Sequence, residues 1–120
     1  STEVIEFLDD VSNFYKNHTN WQASITEYHQ EAKQSISGTA LGLAKLIGLK
    51  PEDITSVRNN TLASKLFSIP DAKLGGYGIH QVKFVNPASS SSRTFEVRVL
   101  GRETYALGLL ELLNKIVSNK

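Results

Sequence analysis

The chain has 120 residues, enough for one domain with a modest core, with 40% hydrophobic and 21% charged residues. It has no cysteine, which excludes a disulfide framework and a thiolate metal site. No apolar run approaches the roughly 18 residues of a membrane span, and Glu3, Glu6, Asp9 and Asp10 give the N-terminal stretch the opposite sign to a signal peptide. The expectation is a soluble, cytoplasmic protein of a bacterium or a phage-infected host cell.

Net charge is only +1, but it is unevenly spread. Residues 1–36 carry two lysines against six acids, and residues 37–120 carry eleven Lys and Arg against six acids. The asymmetry favours an anionic partner for the later segment.

Residues 2–17 place Val4, Ile5, Leu8 and Val11, with Phe14 and Tyr15, at helical spacing. Thr19 is a suitable cap for a second helix over about 20–34, with Trp21, Ile25 and Tyr28 on one face. Gly38 ends that run, and Ser37 or Thr39 caps a helix over about 39–47. After the Gly48 turn, Pro51 suits a first helical position, and Glu52 and Asp53 suit the positive end of a helix predicted over 51–60. Ala44, Gly48, Ile54 and Val57 then have the spacing of a helix-turn-helix: a small residue at the crossing, a glycine in the turn, and two apolar anchors three apart. Leu62, Leu66 and Phe67 predict a further short helix.

From Tyr77 the period changes to two. Ile79, Val82 and Phe84, then Phe95, Val97 and Val99, predict two strands joined by the polar segment 86–93, a β-hairpin with a long tip. A Leu-rich helix is expected over about 103–117, apolar on more than one face and so in need of cover from several sides.

A hairpin behind a helix-turn-helix is the wing of a winged helix. The stretch Leu43 to Arg58, with Gly76-Tyr77-Gly78-Ile79-His80-Gln81-Val82, Asn86-Pro87, Arg93 to Leu100 and Gly101-Arg102-Glu103 leading into the Leu-rich helix, resembles the MarR family of transcriptional regulators, phage-encoded members in particular. The resemblance implies an α+β, mainly helical fold: one winged helix-turn-helix domain over 1–120, with N-terminal helices in 1–36, helix-turn-helix and wing in 39–100, and a C-terminal helix in 102–118. It implies a homodimer formed by the terminal helices and a non-enzymic regulator bound to double-stranded DNA, with the recognition helix in the major groove and the wing on the minor groove or backbone. A winged-helix protein–protein module without DNA binding is the alternative, and a small α+β enzyme or toxin a further one.

Under that reading Thr55, Ser56, Arg58, Asn59 and Asn60 face the major groove, where Arg suits guanine and Asn suits adenine. Thr39, Lys45, Lys50 and Lys65 would touch phosphates. Ser90, Ser91, Ser92 and Arg93 form the wing tip, its arginine placed for a narrow minor groove. No cofactor, metal or catalytic set is expected: His18, His29 and His80 have no ligand spacing between them; the sequence does not disclose whether a small-molecule effector binds.

Overall fold

A computed structural model describes residues 2–29, 36–70 and 77–100. Helix α1 spans Thr2–Asn17, strand β1 Gln22–Tyr28, helix α2 Gly38–Leu46, strand β2 Ile54–Val57, helix α3 Asn60–Phe67, strand β3 Tyr77–Val85 and strand β4 Ser92–Leu100. A single 3-10 turn, Pro51–Asp53, leads into β2. The strands form one mixed sheet in the order β2-β1-β3-β4. β1 and β2 are parallel, joined across α2, while β3 is antiparallel to both β1 and β4. Parallel neighbours need a crossover of this kind, whereas β3 and β4 can be joined by a tight hairpin.

The helix expected over 2–17 is α1. Val4, Phe7, Leu8 and Val11 are buried at helical spacing, while Ile5 faces solvent. They pack with Leu43, Ala44 and Ile47 of α2 and its end against Ile25, Val82, Phe84 and Val97 on one face of the sheet. α1 is therefore consumed in the domain's own core. On the other face Tyr28, Val57 and Ile79 meet Ala63 and Phe67 of α3, with Ile69 after it. Gly48 ends α2 at φ 75, and the Leu49 N–H closes onto the Ala44 carbonyl at 2.7 Å, so the glycine sits where a left-handed residue is required.

Three features expected from the sequence are corrected. The segment read as a helix over 20–34 holds β1: Ala23, Ile25 and Glu27 alternate on the first face and Thr26 and Tyr28 on the second. The segment read as a recognition helix over 51–60 holds the 3-10 turn and β2. Ile54 and Val57, three apart, lie in different core clusters on opposite faces, as a strand requires. Ile, Thr and Val fill three of the four β2 positions, and their branched side chains suit a strand better than a helix. The architecture is thus an α/β fold around a mixed four-stranded sheet, not a mainly helical winged helix. The short helix after Asn60 and the hairpin over 77–100 do form. The Leu-rich segment 103–117, with the dimer helix it was expected to make, lies outside the described residues. No helix among those described is long and apolar enough to cross a membrane.

Candidate functional site

The first face of β1 ends in a charge. Glu27 follows Ile25 in the alternation and is fully buried, which for a carboxylate demands compensating donors. Its neighbours supply them. His29, two residues on, brings Nε2 to 2.7 Å from Glu27 Oε1. Ser37, the N-cap of α2, donates its hydroxyl to the same oxygen at 2.8 Å and its N–H at 3.3 Å. From β2, Ser56 donates its hydroxyl to Oε2 at 2.7 Å, and Arg58 just beyond places a guanidinium nitrogen 3.5 Å from that oxygen.

His80 of β3 completes the cluster, its Nε2 3.2 Å from Ser37 Oγ. The two imidazoles meet edge to face with centroids 5.8 Å apart. Burial pushes the Glu27 carboxyl up, but the hydrogen bonds from His29, Ser56 and Ser37 and the attraction of the His29 ring outweigh it, holding the pKa at about 2 against an ordinary 4.5. Glu27 is therefore an anion throughout the neutral range.

The Ser37 hydroxyl also accepts the Ala40 N–H at 3.1 Å, capping α2. By helix geometry the N–H groups of Gly38 and Thr39, in the first turn of α2, precede the first intrahelical bond at the positive end of the helix. His29 is 2% exposed, and its Nδ1 has no hydrogen-bond partner among the described residues.

Two imidazoles and a carboxylate are also a zinc-like donor set, with one atom from each within 4.8 Å of the others. The spacing argues for hydrogen bonding. Glu27 Oε1 and His29 Nε2 stand 2.7 Å apart, whereas two donors on a tetrahedral zinc stand about 3.3 Å apart. Ser37, Ser56 and Arg58 already occupy the carboxylate.

The residues assigned to DNA scatter. Ser56 and Arg58 turn inward to Glu27. Thr55, just before Ser56, is exposed on the opposite face of the strand. Asn59 caps α3 by accepting the Leu62 N–H, and Asn60 accepts the Tyr28 hydroxyl at 2.8 Å. Thr39 is buried in the first turn of α2. Lys45 and Lys65 are exposed in the last turns of α2 and α3, and Lys50 is exposed before the 3-10 turn.

Ser90, Ser91 and Ser92 lie exposed at the hairpin tip, where the Asn86 N–H closes onto the Ser91 carbonyl. Arg93 lies over the rings of Phe14 and Phe95, 5.7 and 5.1 Å from their centroids, beside α1. The fold thus unites Ser56 and Arg58 and separates the rest. The sequence reading missed Glu27, His29, Ser37 and His80 as one site. The legible signal was Glu-x-His at a strand end with Ser-Gly-Thr opening a helix nearby; the approach of His80 is purely a matter of topology.

A family model described as the dihydrodipicolinate reductase C-terminus matches residues 3–120. The chain is also 26% identical over 98 aligned positions, which cover 78% of it, to a protein of Oryza sativa subsp. japonica described as a probable 4-hydroxy-tetrahydrodipicolinate reductase 1, chloroplastic. The matched part is 29% of that protein's length. These matches overturn the resemblance to MarR regulators, with the DNA-binding function, the double-stranded DNA partner and the non-enzymic role it implied, and they lend nothing to the protein–protein module. With a match over nearly all of its residues, the chain belongs to the dihydrodipicolinate reductase C-terminal domain family.

Proposed function

We propose that this domain handles the substrate of a reductase acting on a hydrogenated pyridine dicarboxylate, the compound class in the name of the rice relative. The observation that carries the reading is His29: a buried imidazole bound through Nε2 to an ionised Glu27, with Nδ1 left for a partner from outside the described residues. A reduction that adds a hydride to one end of a C=C or C=N bond leaves an electron pair at the other end, which takes a proton. His29 in its charged form would give that proton from Nδ1 and become neutral, with Nε2–H still on Glu27. The Gly38 and Thr39 N–H groups would receive a substrate carboxylate at the start of α2, where the helix dipole favours an anion.

The hydride donor supplies the electron pair. The chain contains no Gly-x-Gly-x-x-Gly run, the fingerprint of a dinucleotide-binding turn. No step is assigned to this chain beyond binding the substrate and supplying the proton.

Titration of the isotope-labelled chain with pyridine-2,6-dicarboxylate tests the reading. Saturable shifts are expected at the Gly38, Thr39 and Ala40 amides and the His29 ring, weakened by His29→Ala. An absence of shifts at these groups up to millimolar ligand would overturn it.

A further inference from the structure

A count of hydrogens in the buried cluster fixes which nitrogen each imidazole presents. Glu27 is ionised and can only accept. Its contact with His29 Nε2 at 2.7 Å therefore needs the proton on Nε2. The Ser37 hydroxyl has one hydrogen, and Glu27 Oε1 takes it at 2.8 Å. That oxygen then accepts from the Ala40 N–H and from His80, so His80 also carries its proton on Nε2. Both rings, one just past β1 and one in β3, turn N–H groups toward one carboxylate–hydroxyl pair. The Ser37 N–H can only donate and is aimed at Oε1, so that position must hold an acceptor.

We propose that Glu27 is a positioning residue for His29: it locks the imidazole with the proton on Nε2, so that Nδ1 is the nitrogen turned to the substrate. Ser37 and Ser56 hold the carboxylate at both oxygens and so fix the plane in which His29 docks. The same logic governs the acid in a catalytic triad, which selects a tautomer without itself exchanging protons. The proposal rests on His29 as the proton donor, but its spectroscopic test does not.

The first test is long-range proton–nitrogen correlation spectroscopy on the labelled chain. Wild type should show a neutral His29 with Nε2 protonated and Nδ1 bare. A neutral His29 protonated on Nδ1 would overturn the proposal whether or not the domain serves a reductase.

The second test is turnover by the reductase that carries this domain. Glu27→Gln is expected to keep the tautomer, because the Ser37 N–H forces the amide oxygen into the Oε1 position. It loses the charge, and kcat should fall by about tenfold with KM little changed, a part of the 10²–10⁴-fold that a general acid contributes. Glu27→Met, of similar volume but with no acceptor for the ring N–H, should release the tautomer and lower kcat further. Wild-type kcat in a folded Glu27→Met protein would overturn the proposal. If Glu27→Met does not fold, the wild-type tautomer and the Glu27→Gln split between kcat and KM decide it. Absence of any reductase activity would overturn the proposed function and leave the tautomer result to stand by itself.

Discussion

Glu27 and His29 stand two residues apart, yet their side chains meet at 2.7 Å. Residues i and i+2 of a strand point the same way from positions about 6.6 Å apart, at about 3.3 Å per residue. Two polar side chains on such a surface would ordinarily run side by side into solvent. Here the first is buried by Ser37, Ser56 and Arg58, and the second leans back onto it where β1 ends. An anion, two imidazoles and the start of a helix thereby come together at one corner of the sheet.

The Glu27 carboxyl makes stability depend on acid pH. Its folded pKa is lowered to about 2 from 4.5, so the native state favours the ionised form and the unfolded chain takes up the proton first as pH falls. The contribution is fully present above pH 5 and is lost as pH drops from about 5 toward 2, on the order of 3 kcal/mol in all. Urea unfolding of wild type and Glu27→Gln across this range should show wild type more stable at pH 7 and the gap closing toward pH 3. A gap that does not change with pH would refute it.

Ser37→Ala should cost more than the loss of an ordinary helix cap. A cap is typically worth about 1 kcal/mol, but the Ser37 hydroxyl also donates to Glu27 and accepts from His80. Removing it leaves a buried imidazole N–H and part of a carboxylate short of partners, so a loss of about 2–3 kcal/mol is expected. Asn59→Ala, a cap in α3 with no such second role, is the reference and should lose about 1 kcal/mol. Equal losses from the two variants in denaturant unfolding would contradict the argument.

Gly48→Ala should destabilise the end of α2. Its φ of 75 lies in the left-handed region, and an added Cβ would stand 3.2 Å from the Tyr15 hydroxyl oxygen of α1. The backbone term alone is about 1–2 kcal/mol, and the tight contact adds to it unless Tyr15 moves. Thermal unfolding at neutral pH would register the loss as a lower Tm, and an unchanged Tm would contradict it.

The elements legible in the sequence had one unambiguous period. Val4, Leu8 and Val11 recur at helical spacing and are buried on one face of α1, and Phe95, Val97 and Val99 alternate as a strand does. β1 and β2 were misread because their buried residues do not alternate simply. Tyr28 is buried on the face opposite Ile25, since α3 covers that end of the sheet, and together with Trp21 the two mimic helical spacing. Glu27 reads as a solvent position and is the most deeply buried acid described. In β2, Ile54 and Val57 three apart suit a helix face or opposite faces of a strand, and the Pro-Glu-Asp before them looked like a helix start but makes only a 3-10 turn. The site eluded the sequence for the same reason. Glu27, Ser37, Ser56 and His80 come from four elements and meet only because β2 and β3 both flank β1.

The placement of Asn60, expected on a DNA-reading helix, gives a final test of the fold. Its side-chain oxygen receives the Tyr28 hydroxyl at 2.8 Å, tying the start of α3 to the end of β1. Tyr28 is 1% exposed, so its hydroxyl depends on partners inside the protein. Tyr28→Phe removes the donor and Asn60→Ala the acceptor. Each alone should cost about 0.5–1.5 kcal/mol. The double variant should cost less than the sum, with a coupling of at least about 0.5 kcal/mol, because the Tyr28–Asn60 bond can be lost only once. In a winged helix with residue 60 on a solvent-facing recognition helix, the two effects would add. Strict additivity in a denaturant-unfolding cycle would therefore count against the packing of α3 on the second face of the sheet.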